Sequence, residues 1–146
     1  MNTMHRKAAA AVATAAALGL ALAPGLAAAE TVKLHADLTG AAETGGGDAD
    51  GSGHLMAEID PEAGDFCFVL GAEDIGEPVA AHIHEGAAGV DGKPVITISV
   101  TGMEMDECVA AEPDLLKAIV ANPAGYYANV HTGDYPKGAV RGQLSK

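Results

Sequence analysis

Apolar and polar residues alternate through most of the chain beyond residue 30, and a period of two marks β-strands with one buried face. In Thr31–Leu38, Val32, Leu34, Ala36 and Leu38 fall on one side, with Lys33, His35 and Asp37 on the other. Leu55, Ala57 and Ile59 alternate with Met56 and Glu58. Asp65–Leu70 is apolar on both sides, Phe66, Phe68 and Leu70 against Cys67 and Val69, which predicts a central strand. Val79–His84, Val95–Thr101, Tyr126–Thr132 and Ala139–Leu144 complete seven expected strands. Turn chemistry separates them at Asp60-Pro61-Glu62-Ala63-Gly64, at Asp91-Gly92-Lys93-Pro94 and across Gly133–Gly138. One helix is predicted over Pro113–Ala121. Pro113 suits a first turn, Leu115, Leu116, Ile119 and Val120 form an apolar stripe, and Asn122-Pro123 ends it. Short strands with one crossover helix predict an all-β fold, an antiparallel sandwich or barrel.

The first 29 residues break this pattern. Arg6 and Lys7 precede an uncharged run, Ala8–Ala23, then Pro24-Gly25, then Ala27-Ala28-Ala29. Basic head, apolar middle and small residues before Glu30 predict a signal peptide over residues 1–29 and a mature domain over 30–146. The run is short for a membrane span, which needs roughly 20 apolar residues. No membrane insertion is expected after cleavage, and the protein is expected to be secreted or periplasmic.

Composition changes once that segment is set aside. Of 8 basic residues two lie in it, leaving six against 20 acidic ones, a net charge of −14 for the mature chain. Such a surface repels phosphate backbones and anionic lipid, which argues against nucleic acid as a partner. The 49% hydrophobic content is inflated by leader alanines, and the five aromatic residues are Phe66, Phe68, Tyr126, Tyr127 and Tyr135. A thin core of this kind gains from a covalent staple. The two cysteines, Cys67 and Cys108, are expected to form a disulfide in an oxidising compartment.

Several chemical motifs fail on inspection. Counting from Asp48, the glycine-rich stretch places Asp50, Ser52 and Gly53 where a calcium loop wants them. Its twelfth position, however, is Ile59, where a bidentate Glu is needed, so a plain acidic connection is expected. None of Ser52, Ser99 and Ser145 sits in a GxSxG elbow, and Gly86–Gly92 lacks the GK[ST] of a phosphate loop.

The histidines are more informative. In Val79–His84 the period puts Val79, Ala81 and Ile83 on one face and His82 and His84 on the other. In Tyr126–His131, Ala128 and Val130 oppose Tyr127, Asn129 and His131. Alternate residues lie roughly 6.7 Å apart along a strand and paired strands roughly 4.8 Å apart, so His82, His84 and His131 can converge on one copper or zinc ion. The alternative is that these rings hydrogen-bond neighbouring loops and pin Glu85–Gly92.

Longer motifs carry a family resemblance. These are Leu38-Thr39-Gly40-Ala41-x-Glu43, Ala81-His82-Ile83-His84-Glu85-Gly86, Gly89-x-x-Gly92 with Pro94-Val95, Asn122-Pro123, Tyr126–Thr132 and Pro136-x-Gly138-Ala139-Val140-Arg141-Gly142-Gln143-Leu144. In order, and with the placement of Cys67 and Cys108, they resemble the CHRD (chordin) domain. That resemblance implies an extracellular, immunoglobulin-like, mostly β module, and with seven to eight expected strands the first reading is a non-catalytic module that binds an extracellular protein or a metal ion. The His82, His84 and His131 pattern also resembles copper–zinc superoxide dismutases. On that likeness the three histidines correspond to copper ligands and Arg141 to an anion-guiding arginine. No histidine stands between His84 and His131, so a bridging ligand and zinc cluster are missing. The second likeness therefore implies at most a copper-only redox enzyme. Arg141 has a simpler reading, as the partner of an acidic neighbour closing the last strand.

Overall fold

The computed structural model describes residues 30–146, so the expected signal peptide lies outside the described residues. Eight antiparallel strands form one sheet: β1 (Val32–Thr39), β2 (Ser52–Asp60), β3 (Asp65–Glu73), β4 (Pro78–Glu85), β5 (Pro94–Ile98), β6 (Glu107–Ala110), β7 (Tyr126–Thr132) and β8 (Val140–Gln143). Helix α1 covers Pro113–Ala121, and short 3-10 turns occupy Gly40–Ala42 and Pro123–Gly125. The strand order is β5-β4-β7-β8-β1-β2-β3-β6. The sheet curls until its edges approach: Val95, Ile96 and Thr97 of β5 share a gap with Ala110, Ala111 and Leu115. Of the sandwich and barrel forms expected, the molecule is a nearly closed barrel. Among the described residues no helix is long and apolar enough to cross a membrane.

The alternating residues fill the interior as their period dictates. Leu34, Ala36 and Leu38 meet Leu55, Ala57 and Ile59, then Phe66, Phe68 and Leu70, with Ala81, Ile83, Ala128, Val130 and Val140 from the other half. Leu116 and Ile119 of α1 join this core, as the predicted stripe requires. Proline at the first turn begins the helix, and the Asn122 N–H to Ala118 carbonyl bond closes it before Pro123.

Four expectations are corrected. Asp65–Leu70 is not sandwiched in the middle of the sheet. It lies one strand from an edge, and Cys67 and Val69 form its half-buried outer face. The neighbouring edge strand, β6, carried no legible pattern because it is only four residues long. Val79 points outward and is 61% exposed, since the β4–β7 register shifts between Pro78 and Ala80 and leaves it as the extra residue. Finally, β5 stops at Ile98 rather than Thr101, where the Ser99 hydroxyl accepts from the Thr101 N–H and bends the chain.

The disulfide is formed between directly opposed residues, Cys67 on β3 and Cys108 on β6. It ties the edge strand to the sheet across a sequence separation of 41.

Candidate metal centre

The outer face of β4, β7 and β8 is polar where the inner face is core. Register pairs His82 with Asn129, His84 with Tyr127 and Ala80 with His131, so His131 is the diagonal neighbour of His82. Asn129 in turn faces Arg141, and Tyr127 faces Gln143. Two connections fold over this face. The β1–β2 connection is held where the Asp48 N–H meets the Ala139 carbonyl, and the β4–β5 connection where the Gly86 N–H meets the Gly125 carbonyl. The Thr44 hydroxyl donates to the Asp91 carboxylate and joins the two connections.

His82, His84 and His131 each bring one ring nitrogen to within 4.8 Å of the others. Their inward neighbours Ile83 and Val130 are fully buried, which fixes the outward direction of the histidines. Hydrogen bonding sets the tautomers of two rings. His84 Nδ1 lies 2.8 Å from the Gly92 carbonyl oxygen and His131 Nδ1 lies 3.1 Å from that of Pro136. A carbonyl only accepts, so both Nδ1 atoms carry the hydrogen and both Nε2 atoms keep a lone pair. Backbone carbonyls orient metal-binding imidazoles in this way. His82 Nδ1 lies 3.1 Å from His131 Nε2 and donates to it.

Charge also favours the ligating form. Burial, then the neighbouring His131 and His84, holds His82 below the usual histidine value. Burial lowers His131 too, against a smaller opposing contribution from the Pro136 carbonyl. Neutral imidazole is the form that binds metal.

The surroundings are tightly built. His84 stacks on Tyr127 with ring centroids 4.7 Å apart, and the Arg141 guanidinium carbon sits 3.4 Å from the Tyr127 ring centroid. Arg141 is 1% exposed; its Nη2 donates to the carbonyls of Ala87 (2.9 Å) and Val90 (3.0 Å) and to Gln143 Oε1 (3.2 Å). Asp91 stands 3.6 Å from Nη1. The arginine therefore faces the covering loop, with an acidic neighbour beside it. Gln143 Nε2 extends the clamp to the carbonyls of Gly86, Ala124 and Tyr126.

Four buried polar atoms here have no hydrogen-bond partner: Glu43 Oε1, His84 Nε2, Asn129 Oδ1 and Arg141 Nη1. Each such atom costs roughly 1–3 kcal/mol unless something satisfies it. For His84 the Nε2 is the one free ring nitrogen, and His84 belongs to the cluster. Burial raises the Glu43 pKa, while the Arg141 charge and the Asn129 amide pull it down. Sequence reasoning gave Glu43 and Asn129 no role at the site. Asn129 shares its strand period with His131, which is a usable signal; Glu43 closes the Leu38-Thr39-Gly40-Ala41-x-Glu43 motif, which marks it in the sequence without placing it at the site.

The remaining histidines and the acidic glycine-rich connection lie elsewhere. His35 approaches Ser145 Oγ at 3.2 Å and His54 approaches Glu104 at 3.5 Å, each away from the cluster. Asp48 and Asp50 lie in the β1–β2 connection, where the Asp50 N–H meets Asp48 Oδ1 at 3.4 Å.

Fold and site together define a small disulfide-bonded β-barrel with three histidines converging under its covering loops. The chain belongs to the CHRD domain family, whose model matches residues 34–144. No curated protein and no solved structure matches the chain.

Proposed function

We propose that this CHRD domain protein is a secreted or periplasmic binding module that holds one copper or zinc ion through His82, His84 and His131. One observation carries the reading: His84 Nε2 is buried, unpartnered and free to ligate, because Nδ1 is committed to the Gly92 carbonyl. A ring kept only to pin the loop would need Nδ1 alone. An all-imidazole set suits Cu(II) or Zn(II), with Cu(II) favoured in the affinity order of divalent ions. The disulfide and the family support a compartment outside the cytoplasm.

Binding is favoured over a superoxide-dismutase-like redox activity by the state of Arg141. Its buried guanidinium serves the carbonyls of the covering loop and offers no exposed charge to steer an anion. The acidic chain repels anions at long range as well. Calorimetric titration of metal-free protein with Cu(II) and Zn(II) near neutral pH tests the proposal. Saturable binding of one ion per chain, lost in a His82/His84/His131 triple-alanine variant, is expected. Equal heats from both proteins would make the histidines structural hydrogen-bonders.

A further inference from the structure

His84 is the buried member of the histidine cluster, while His82 and His131 are both partly exposed. The two outer rings are joined to each other. His131 Nε2 accepts the hydrogen of His82 Nδ1 at 3.1 Å, because His131 Nδ1 is committed to the Pro136 carbonyl. That Nε2 lone pair is also the one that His131 has for a metal ion. The hydrogen bond and ligation therefore exclude one another, and an ion can use His131 only by displacing the hydrogen of His82. Nitrogen ligands of a tetrahedral ion, bound at about 2.0–2.1 Å, lie roughly 3.3 Å from one another. His82 Nδ1 and His131 Nε2 already stand close to that spacing, with only a hydrogen between them. The other nitrogen of His82, Nε2, directs its lone pair to a different side of the ring. Using it would require the imidazole to turn away from a partner already at ligating distance.

We propose that His82 is a tautomeric latch on the metal centre. In the metal-free protein its Nδ1–H is tied to His131; on loading, the hydrogen passes to Nε2 and Nδ1 becomes the ligand, beside Nε2 of His84 and Nε2 of His131. The inference rests on the metal-binding reading and adds which atoms hold the ion and what the ion displaces. The exchange balances. One Nδ1–H bond breaks and one Nε2–H bond forms, solvent carrying the proton between the two nitrogens, and three metal–nitrogen bonds form. The ring is neutral before and after, so no net proton is released. His84 and His131 do not exchange in this way, since the carbonyls of Gly92 and Pro136 accept only and hold their hydrogens on Nδ1. His82 Nδ1 faces an imidazole nitrogen instead of a carbonyl, which leaves it the one ring of the three able to change tautomer.

The test is nitrogen-15 NMR of the imidazole rings in the labelled, purified protein near pH 8, first in chelator and then with Zn(II), a diamagnetic probe. Single His→Gln variants assign the ring signals. In chelator all three rings should show the hydrogen on Nδ1. With one equivalent of Zn(II) the His82 pattern should invert, with the hydrogen on Nε2 and a metal-shifted Nδ1. His84 and His131 should keep their Nδ1 hydrogens and show metal-shifted Nε2 signals. A His82 ring that keeps its Nδ1 hydrogen while zinc shifts the other two would overturn the latch and leave the metal centre standing. A His82 ring already carrying its hydrogen on Nε2 in chelator would also overturn the latch alone. Ring signals unmoved by zinc would remove the metal centre itself, and the latch with it.

Discussion

His82 Nδ1 and His131 Nε2 stand 3.1 Å apart, and burial together with neighbouring imidazoles disfavours a charge on either ring. Between their lowered values and the ordinary 6.5, the unfolded chain therefore binds more protons than the folded one. Stability rises with pH through that window and is lost as pH falls below 6.5. Glu43 has the opposite sign: its raised value adds stability that is complete below 4.5 and lost as pH rises above it. Denaturant midpoints at pH 7.5, 6.5 and 5.5, in chelator, should fall steadily for the native chain. A His82→Gln/His131→Gln variant keeps Glu43 and should give a flatter profile. Parallel profiles would refute the assignment.

Residues on opposite faces of the paired strands β4 and β7 should separate binding from folding. His131→Ala removes a ligand from the half-exposed outer face, so metal binding should vanish at a cost of about 1 kcal/mol in stability. Ile83, fully buried between His82 and His84, serves the core. Ile83→Ala should cost about 2–5 kcal/mol. Urea unfolding paired with metal titration checks both, and a His131→Ala chain that still binds copper as the native one does would remove that residue from the site.

The short edge strand β6 depends on its covalent link. It pairs with β3 over only four residues, and the bond joins the directly opposed pair within that stretch. Closing a loop of this length contributes about 4 kcal/mol in the chain-entropy account, before any native strain. A Cys67→Ser/Cys108→Ser variant should stay a β-barrel but lose about 2–4 kcal/mol. Its β6 amides should exchange sooner than those of β1 and β2. Thiol titration of the unfolded, unreduced native chain should find no reactive sulfur.

What could be read from the sequence follows from what is periodic. Leu34–Leu38 and Leu55–Ile59 obey a strict period of two, and their burial matches it residue by residue; Tyr126–His131 keeps the same chemical period, but Tyr126 to Val130 are all buried because the covering connections close over its polar side. The three histidines were legible for the same reason, since strand parity and adjacency are enough to bring them together. Val79 departed from parity because a bulge adds a residue, and no side-chain pattern announces a bulge. Glu107–Ala110 was too short to show a period, although Cys108 lay within it. Glu43 was legible as a motif residue, but its position at the site was not. Its place opposite Asn129 and Gly138 depends on how a loop folds back, which only tertiary hydrogen bonds such as Asp48 N–H to Ala139 determine.

Arg141 provides a discriminating substitution because its two readings predict different losses. The structure places its guanidinium under the β4–β5 connection, donating to Ala87 and Val90 while packed on Tyr127. Gly92, in the same connection, supplies the carbonyl that holds His84 Nδ1. Lysine keeps the charge but lacks the planar fork, so Arg141→Lys should lose about 1.5–3 kcal/mol of stability from the broken charged hydrogen bonds. Amides from Ala87 to Gly92 should exchange faster, and copper affinity should drop about tenfold as His84 loses its fixed orientation. An anion-guiding arginine makes the opposite forecast: loop exchange and metal affinity unchanged, with only the salt dependence of a reaction with anions affected. Hydrogen exchange and copper calorimetry on Arg141→Lys therefore decide whether this residue acts by holding the loop over the histidines or by attracting a substrate to them.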